Sequence, residues 1–191
     1  CLFSRPLGLC LFFSVVPPAY CVSRRQRVII TYFQLPIMSN LDKNNPLLGT
    51  WKLISIKATL PDGTINNQAF GINPIGYITY TVEGKMMVIF SKSERRLLSG
   101  NSASPLTNAI HSVPIEERAE AFSTFNSYAG SYTLDGDKVI HHVEIASIPN
   151  RVGKSLTRNF TINGNRVTLK TPPSRSDDTP KIFELTWERI E

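Results

Sequence analysis

Cysteine is nearly absent from this chain. Its three cysteines all lie within the first 21 of 191 residues, so the rest has no disulfide framework and no thiolate for catalysis or metal binding. The sequence also lacks a glycine-rich phosphate-binding loop and a nucleophilic-serine elbow. The adjacent His141 and His142 lie in a predicted strand, so their rings point to opposite faces and cannot share a metal ion. We therefore expect neither a metal nor a cofactor.

Excess positive charge is scarce outside the first 38 residues. The chain has 21 Lys+Arg and 15 Asp+Glu, a net charge of +6, but residues 1–38 hold four arginines and no acidic residue. The remainder has a net charge of only +2. Such a balance argues against a nucleic-acid partner.

No long apolar run is present either. The apolar stretch at 7–16 is shorter than the roughly 20 residues that span a bilayer, so we expect no membrane association. We interpret residues 1–46 as a non-native or unstructured leader and linker, with the true start at Met38, and residues 47–191 as one domain. This interpretation predicts a cytoplasmic protein. The alternative is that the leader is a secretory signal peptide and the protein is secreted.

The domain consists of short alternating segments between Gly-Thr-Trp at 49–51 and Trp-Glu-Arg at 187–189. Asp135-Gly136 and Asn163-Gly164 separate two pairs of segments and favour type I′ hairpin turns. Predicted strands lie at 48–59, 75–82, 85–91, 129–134, 138–147, 155–162, 165–171 and 181–190. Because the first and last strands carry matching anchors, we predict an all-β fold, an eight-stranded antiparallel up-and-down barrel. One helix follows the third strand; it begins near Pro114 and has Ile115, Ala119, Phe122 and Phe125 on one face.

Two-residue turns fix the register of each hairpin, and the register decides which side chains face inward. In the second hairpin Ile162 opposes Asn165 and Arg158 opposes Leu169, which places Arg158 on the apolar inward face. A charge there is costly without a partner. Arg158 is therefore a ligand contact, a member of an internal ion pair, or a side chain that extends to the barrel mouth.

In the first hairpin Tyr132 opposes Val139, and His141 points inward opposite Gly130, which leaves room for its ring. A lone inward histidine is either a hydrogen-bonded core group or a proton-transfer group. Several tyrosines offer hydroxyl groups to a cavity, namely Tyr77, Tyr80, Tyr128 and Tyr132. The last strand points Trp187 inward. The candidate ligand-binding residues are therefore Arg158, His141, Tyr132, Tyr80 and Trp187, and no catalytic residue is assigned.

Six motifs in order resemble the lipocalin-like domain proteins of the calycin superfamily, a bacterial and fungal family. They are Leu-Leu-Gly-Thr-Trp-Lys-Leu at 47–53, Asn-Pro-Ile-Gly-Tyr-Ile-Thr-Tyr-Thr at 73–81, His-His-Val-Glu at 141–144, Pro-Asn at 149–150 followed by Gly153, Arg-Asn-Phe at 158–160 and Trp-Glu-Arg at 187–189. The resemblance implies a barrel in which Trp51 plugs one end and Arg189 packs over it. Arg151 departs from the pattern, since many relatives have an aromatic residue there.

Two functions follow as hypotheses. The first is a barrel that binds a small, largely apolar or amphipathic molecule in its lumen, with Arg158, His141 and a tyrosine at the polar end. The second is a cofactor-free isomerase or cyclase that acts on a polyketide-like molecule, because relatives sometimes accompany enzymes of secondary metabolism. A lumen filled by side chains, without any ligand, is a third possibility.

Overall fold

The computed structural model describes residues 45–174 and 179–190. Most of the predicted leader, including Met38, therefore lies outside the described residues. The elements, in chain order, are β1 (Gly49–Thr59), β2 (Ile65–Asn66), β3 (Ile75–Tyr80), β4 (Lys85–Ser91), a 3₁₀ helix (Asn108–Ser112), α1 (Ile115–Ser123), β5 (Phe125–Asp135), β6 (Lys138–Ala146), a second 3₁₀ helix (Pro149–Arg151), β7 (Ser155–Asn163), β8 (Arg166–Lys170) and β9 (Ile182–Arg189).

The sheet closes on itself. Every long strand pairs antiparallel with its neighbours in the order β1, β3, β4, β5, β6, β7, β8 and β9, and β1 also pairs with β9. The two-residue strand β2 pairs with the far end of β1. Trp51 lies directly opposite Arg189 across the closing pair. The predicted eight-stranded up-and-down barrel, closed by its first and last strands, is confirmed.

The predicted helix is also confirmed. It is α1, which follows β4, the third of the long strands. Glu116 and Glu117 in its first turn favour the positive end of the helix dipole. Phe125 was expected on the helix but is the first residue of β5, which begins four residues earlier than predicted. The described residues contain no helix long and apolar enough to cross a membrane.

Both two-residue hairpins place glycine first in the turn. The pairs Asp135–Lys138 and Asn163–Arg166 flank the two turns, and Gly136 and Gly164 both have φ of 59°. A positive φ at the first central residue alone is typical of a type II′ turn, so the predicted type I′ turns are wrong. The predicted registers are consequently wrong by two residues. A shift of two preserves faces, because side chains alternate with a period of two.

The register shift changes the neighbours of both predicted inward groups. His141 lies opposite Tyr132 rather than Gly130. On the β8 side Leu169 lies opposite Phe160 rather than Arg158, and on the β6 side Arg158 lies opposite Val139. Gly130 has a different function from the one expected. A Cβ atom on Gly130 would lie 1.9 Å from the carbonyl oxygen of His142, at a bulge between β5 and β6. Glycine is therefore required for the two backbones to approach, and it does not make room for the His141 ring.

The two ends of the barrel differ. The start of β1 and the end of β9 form an end that is filled by fully buried side chains, including Leu47 and Trp51. The opposite end, where β4 and β8 finish and β5, β7 and β9 begin, encloses a cavity. The hypothesis of a lumen filled by side chains is therefore wrong for this end.

Candidate ligand-binding site

The cavity has a volume of about 470 Å³, which is within the range of sites for small molecules. Most of its wall is apolar, because strands β1, β3, β4, β7, β8 and β9 each direct aliphatic or aromatic side chains inward. Examples from these strands are Ile56, Ile78, Phe90, Leu156, Leu169 and Phe183. Phe122 of α1 and Pro172 and Pro173 after β8 complete the wall.

The polar part of the wall carries positive charge. Tyr128, Asn126, Arg151 and Arg158 contribute to it, whereas no aspartate or glutamate among the described residues lines the cavity. The ion pairs between described side chains lie on the surface, and Arg158 belongs to none of them. Its guanidinium donates a 2.7 Å hydrogen bond to the carbonyl oxygen of Thr157. The structure therefore places Arg158 at the cavity, as predicted, without a described carboxylate partner.

Arg151 is a cavity residue that sequence reasoning did not select. The short 3₁₀ helix after β6 positions it, and its Nη1 donates a 2.5 Å hydrogen bond to Oδ1 of Asn126. Its guanidinium carbon lies 5.8 Å from the ring centre of Tyr128. Burial lowers the pKa of Arg151, and so does the nearby charge of Arg158, but a guanidinium stays protonated in proteins. The sequence marked this position in one way, because Arg151 stands where many relatives have an aromatic residue.

His141 is fully buried and does not line the cavity. Its Nε2 lies 2.8 Å from the hydroxyl oxygen of Tyr80, and its Nδ1 lies 3.0 Å from that of Tyr128. Burial, reinforced by the charge of Arg158 and by His142, lowers the pKa of His141 to about 3. The imidazole is therefore neutral at physiological pH. His142 lies on the outer side and contacts other groups, which confirms that the two rings point to opposite faces.

The two tyrosines that contact His141 differ in position. Tyr128 lines the cavity, whereas Tyr80 is enclosed in the core. Burial raises the pKa of both phenols, while the positive charge of Arg158 acts in the opposite direction. Both hydroxyl groups are therefore protonated at neutral pH and are available as hydrogen-bond donors.

Tyr132 belongs to the plugged end of the barrel. Its hydroxyl donates a 2.9 Å hydrogen bond to the carbonyl oxygen of Thr81 and accepts a 2.8 Å bond from Nδ2 of Asn45. It does not line the cavity. Tyr77 lies on the outer side of β3 and is 44% exposed. The alternation of β3 therefore directs Tyr80, not Tyr77, into the barrel.

Trp187 lines the cavity from β9 and is fully buried. Its indole ring makes an edge contact with Phe90, with ring centres 6.4 Å apart. The indole Nε1 has no hydrogen-bond partner among the described residues. Of the five predicted ligand-binding residues, Arg158 and Trp187 reach the cavity, whereas His141, Tyr80 and Tyr132 lie behind its wall or beyond it.

Trp51 and Arg189 meet at the plugged end. The Arg189 guanidinium carbon lies 4.0 Å from the ring centre of Trp51, and its Nη2 donates a 2.7 Å hydrogen bond to the carbonyl oxygen of Pro46. Its Nη1 donates to the carbonyl oxygen of Leu48. The indole Nε1 of Trp51 donates a 2.8 Å hydrogen bond to the carbonyl oxygen of Leu47. This geometry matches the closure that the resemblance implied.

Across residues 45–174 and 179–190, no three His, Cys, Asp or Glu side chains come close enough to hold a metal ion.

The family model described as "Lipocalin-like domain" matches residues 48–190. The solved structures include a lipocalin-like protein from Bacteroides uniformis ATCC 8492, with 11% identity and a TM-score of 0.37 over 75% of this chain and 98% of that one. A search of curated proteins finds no match.

Proposed function

The chain belongs to the lipocalin-like domain family, and from its cavity we propose that the barrel binds one small, largely apolar molecule, with Arg158 at the polar end. The main support for this proposal is the cavity of about 470 Å³, whose wall is mostly apolar and whose charged side chains among the described residues are two arginines, Arg151 and Arg158. Pockets of this size and composition bury most of a small ligand's surface.

Two observations favour binding over proton-transfer catalysis. His141, the candidate proton carrier, lies behind the cavity wall and has a pKa of about 3, far from neutral pH. Burial also raises the pKa of Tyr128, the phenol that does line the cavity. General acid–base groups are most effective when their pKa lies near the working pH. Tyr128 is therefore better suited to hydrogen bonding with a ligand than to rapid proton exchange with it, and His141 is in contact with Tyr128 and not with the cavity.

A cavity-filling variant tests whether the lumen is the binding site. Leu156→Trp places an indole in the cavity, whereas Thr157→Trp adds the same group at the next position of β7, outside the cavity lining. We expect the neutral dye Nile red to bind the wild type and Thr157→Trp but not Leu156→Trp, as measured by fluorescence titration. Equal dye binding by both variants would place the site outside the lumen. Native mass spectrometry of protein from its own host then supplies the mass of any co-purified molecule.

Arg158→Met tests whether this guanidinium serves the ligand or the fold. The variant keeps much of the side-chain length but removes the charge. Because no described carboxylate pairs with Arg158, the ligand-free variant should have the same melting temperature as the wild type or a higher one. The affinity for decanoate should fall about ten- to a hundredfold, the worth of a charge-assisted hydrogen bond. Arg166→Met, on the outer side of β8, is the matched control. A lower melting temperature with unchanged decanoate affinity would assign Arg158 to the fold.

A further inference from the structure

The hydrogen bonds around His141 have a definite direction. A neutral imidazole has one N–H donor and one acceptor nitrogen, so one tyrosine donates to the ring and the other accepts from it. Tyr80 is enclosed in the core, and within the described residues its hydroxyl has no hydrogen-bond partner other than Nε2 of His141. If Nε2 carried the proton, the Tyr80 hydroxyl hydrogen would be buried without an acceptor, which is unfavourable. Tyr80 therefore donates to Nε2, and the proton of His141 lies on Nδ1.

This tautomer determines what Tyr128 offers to the cavity. With Nδ1 protonated, His141 donates to the hydroxyl oxygen of Tyr128 across the 3.0 Å contact. The Tyr128 hydroxyl hydrogen is then not used in this bond. Tyr128 lines the cavity, and no described residue accepts from it. It is therefore a donor for whatever occupies the cavity.

Two guanidiniums lie in the same region. Arg151 contacts the Tyr128 ring, and the charge of Arg158 acts on both Tyr128 and Arg151. A guanidinium has five N–H donors. Asn126 accepts one hydrogen bond from Arg151, and Arg158 donates to the carbonyl oxygen of Thr157 and to the hydroxyl oxygen of Tyr128, so both guanidiniums have further donors to offer. We call Tyr128, Arg151 and Arg158 the donor cluster. Its members present donors and positive charge, and no aspartate or glutamate of the described chain lines the cavity beside them.

An anionic oxygen is the chemical group that this arrangement fits. A carboxylate accepts several hydrogen bonds, cannot donate, and reduces the repulsion between two adjacent guanidiniums. An alcohol or amide brings a donor of its own and no charge, and an amine brings a like charge. We infer that the cavity selects molecules with an apolar body and a carboxylate, and that Tyr128, with its hydrogen directed by His141, joins Arg151 and Arg158 in binding it. This inference rests on the proposed function and specifies the ligand class.

A matched pair of probes tests the inference. Decanoate and decan-1-ol share an apolar chain and differ in the head group, and their affinities at pH 7.5 can be compared by displacement of Nile red. We expect decanoate to bind the wild type at least about tenfold more tightly. Tyr128→Phe and Arg151→Met should each weaken decanoate binding about ten- to a hundredfold and change decan-1-ol binding less than about threefold. Tyr77→Phe and Arg166→Met, both outside the barrel, are the controls.

The imidazole tautomer can be measured separately. The ¹⁵N chemical shifts of His141 should show a protonated Nδ1 and an unprotonated Nε2 from pH 6 to pH 8. Protonated Nε2, or equal affinities for the two probes, would overturn the inference while leaving a binding function intact. If Nile red, decanoate and decan-1-ol all fail to bind, the proposed function itself is wrong, and the carboxylate preference falls with it.

Discussion

The contact between Trp51 and Arg189 offers a quantitative test of how the barrel closes. The two residues lie opposite each other on β1 and β9, and the guanidinium carbon stands 4.0 Å from the ring centre. The same guanidinium bonds to the carbonyl oxygens of Pro46 and Leu48, which precede β1. Arg189 therefore links the last strand both to the plug and to the chain that leads into the first strand.

These contacts predict how much each substitution should lower the free energy of unfolding. Trp51→Ala removes a fully buried indole and should lower the free energy of unfolding by about 3–5 kcal/mol. Arg189→Ala removes a cation–π contact worth up to about 2 kcal/mol and two charged hydrogen bonds in a half-buried position, so we expect a loss of about 2–4 kcal/mol. Because the cation–π contact is lost in either single variant, the double variant should lose about 1–2 kcal/mol less than the sum.

Urea denaturation of the wild type, both single variants and the double variant gives all four free energies. Arg166→Ala is the control, since its exposed ion pair with Glu188 should contribute no more than about 1 kcal/mol. Losses that add to within about 0.5 kcal/mol would show that Trp51 and Arg189 act independently, and would refute closure through their contact.

Three further predictions concern Gly130, His141 and Tyr132. Gly130→Ala should destabilise the fold by about 2–3 kcal/mol because its Cβ would collide with a backbone carbonyl of β6. Gly63→Ala, where space is open but φ is positive, should cost only about 1 kcal/mol. Equal losses in urea denaturation would refute the clash. The pKa of His141 is lowered on folding, so the unfolded chain binds the extra proton below pH 6.5. As the pH falls from 7.5 to 5, protonation of His141 in the unfolded chain should lower the free energy of unfolding by about 2 kcal/mol. Urea titrations should show this loss in the wild type and in His142→Gln but not in His141→Gln. Tyr132→Phe should lower stability by about 1–3 kcal/mol through two lost hydrogen bonds while leaving Nile red affinity unchanged; a changed affinity would place Tyr132 in the site.

The fold was largely predictable because its signals are local. Alternation and turn dipeptides located all eight long strands, and the matching anchors indicated closure. The start of β5 was missed because its buried positions there are Asn126, Tyr128 and Gly130, which do not form an apolar alternating pattern. The turn type was missed because the turn glycine has the same residue type on both sides, Asp135 and Asp137 in the first hairpin and Asn163 and Asn165 in the second. Two overlapping dipeptides can therefore form the turn, and the choice between them depends on strand twist over the whole pair.

The site was less predictable because it depends on contacts between distant parts of the chain. Inward placement of Arg158 and His141 followed from alternation alone. Alternation did not reveal the hydrogen-bond partners of His141, because Tyr80 lies 61 residues away in the sequence and reaches His141 only across the closed barrel. Arg151 lies on a short 3₁₀ helix, where neither strand nor helix periodicity indicates a direction.

The contrast between the two ends of the barrel supports the assignment of function. At the plugged end, Trp51, Tyr132 and Arg189 each donate to a backbone carbonyl, so buried donors are paired with acceptors of the chain itself. At the cavity end, the Trp187 indole lacks a partner among the described residues, and two guanidiniums share a wall without a described carboxylate. Unpaired donors and adjacent like charges reduce stability, and natural proteins concentrate such departures at functional sites. The hydrogen-bond donors that close the plugged end thus bind acceptors of the chain itself. Donors at the cavity end remain available for an acceptor that a ligand can supply.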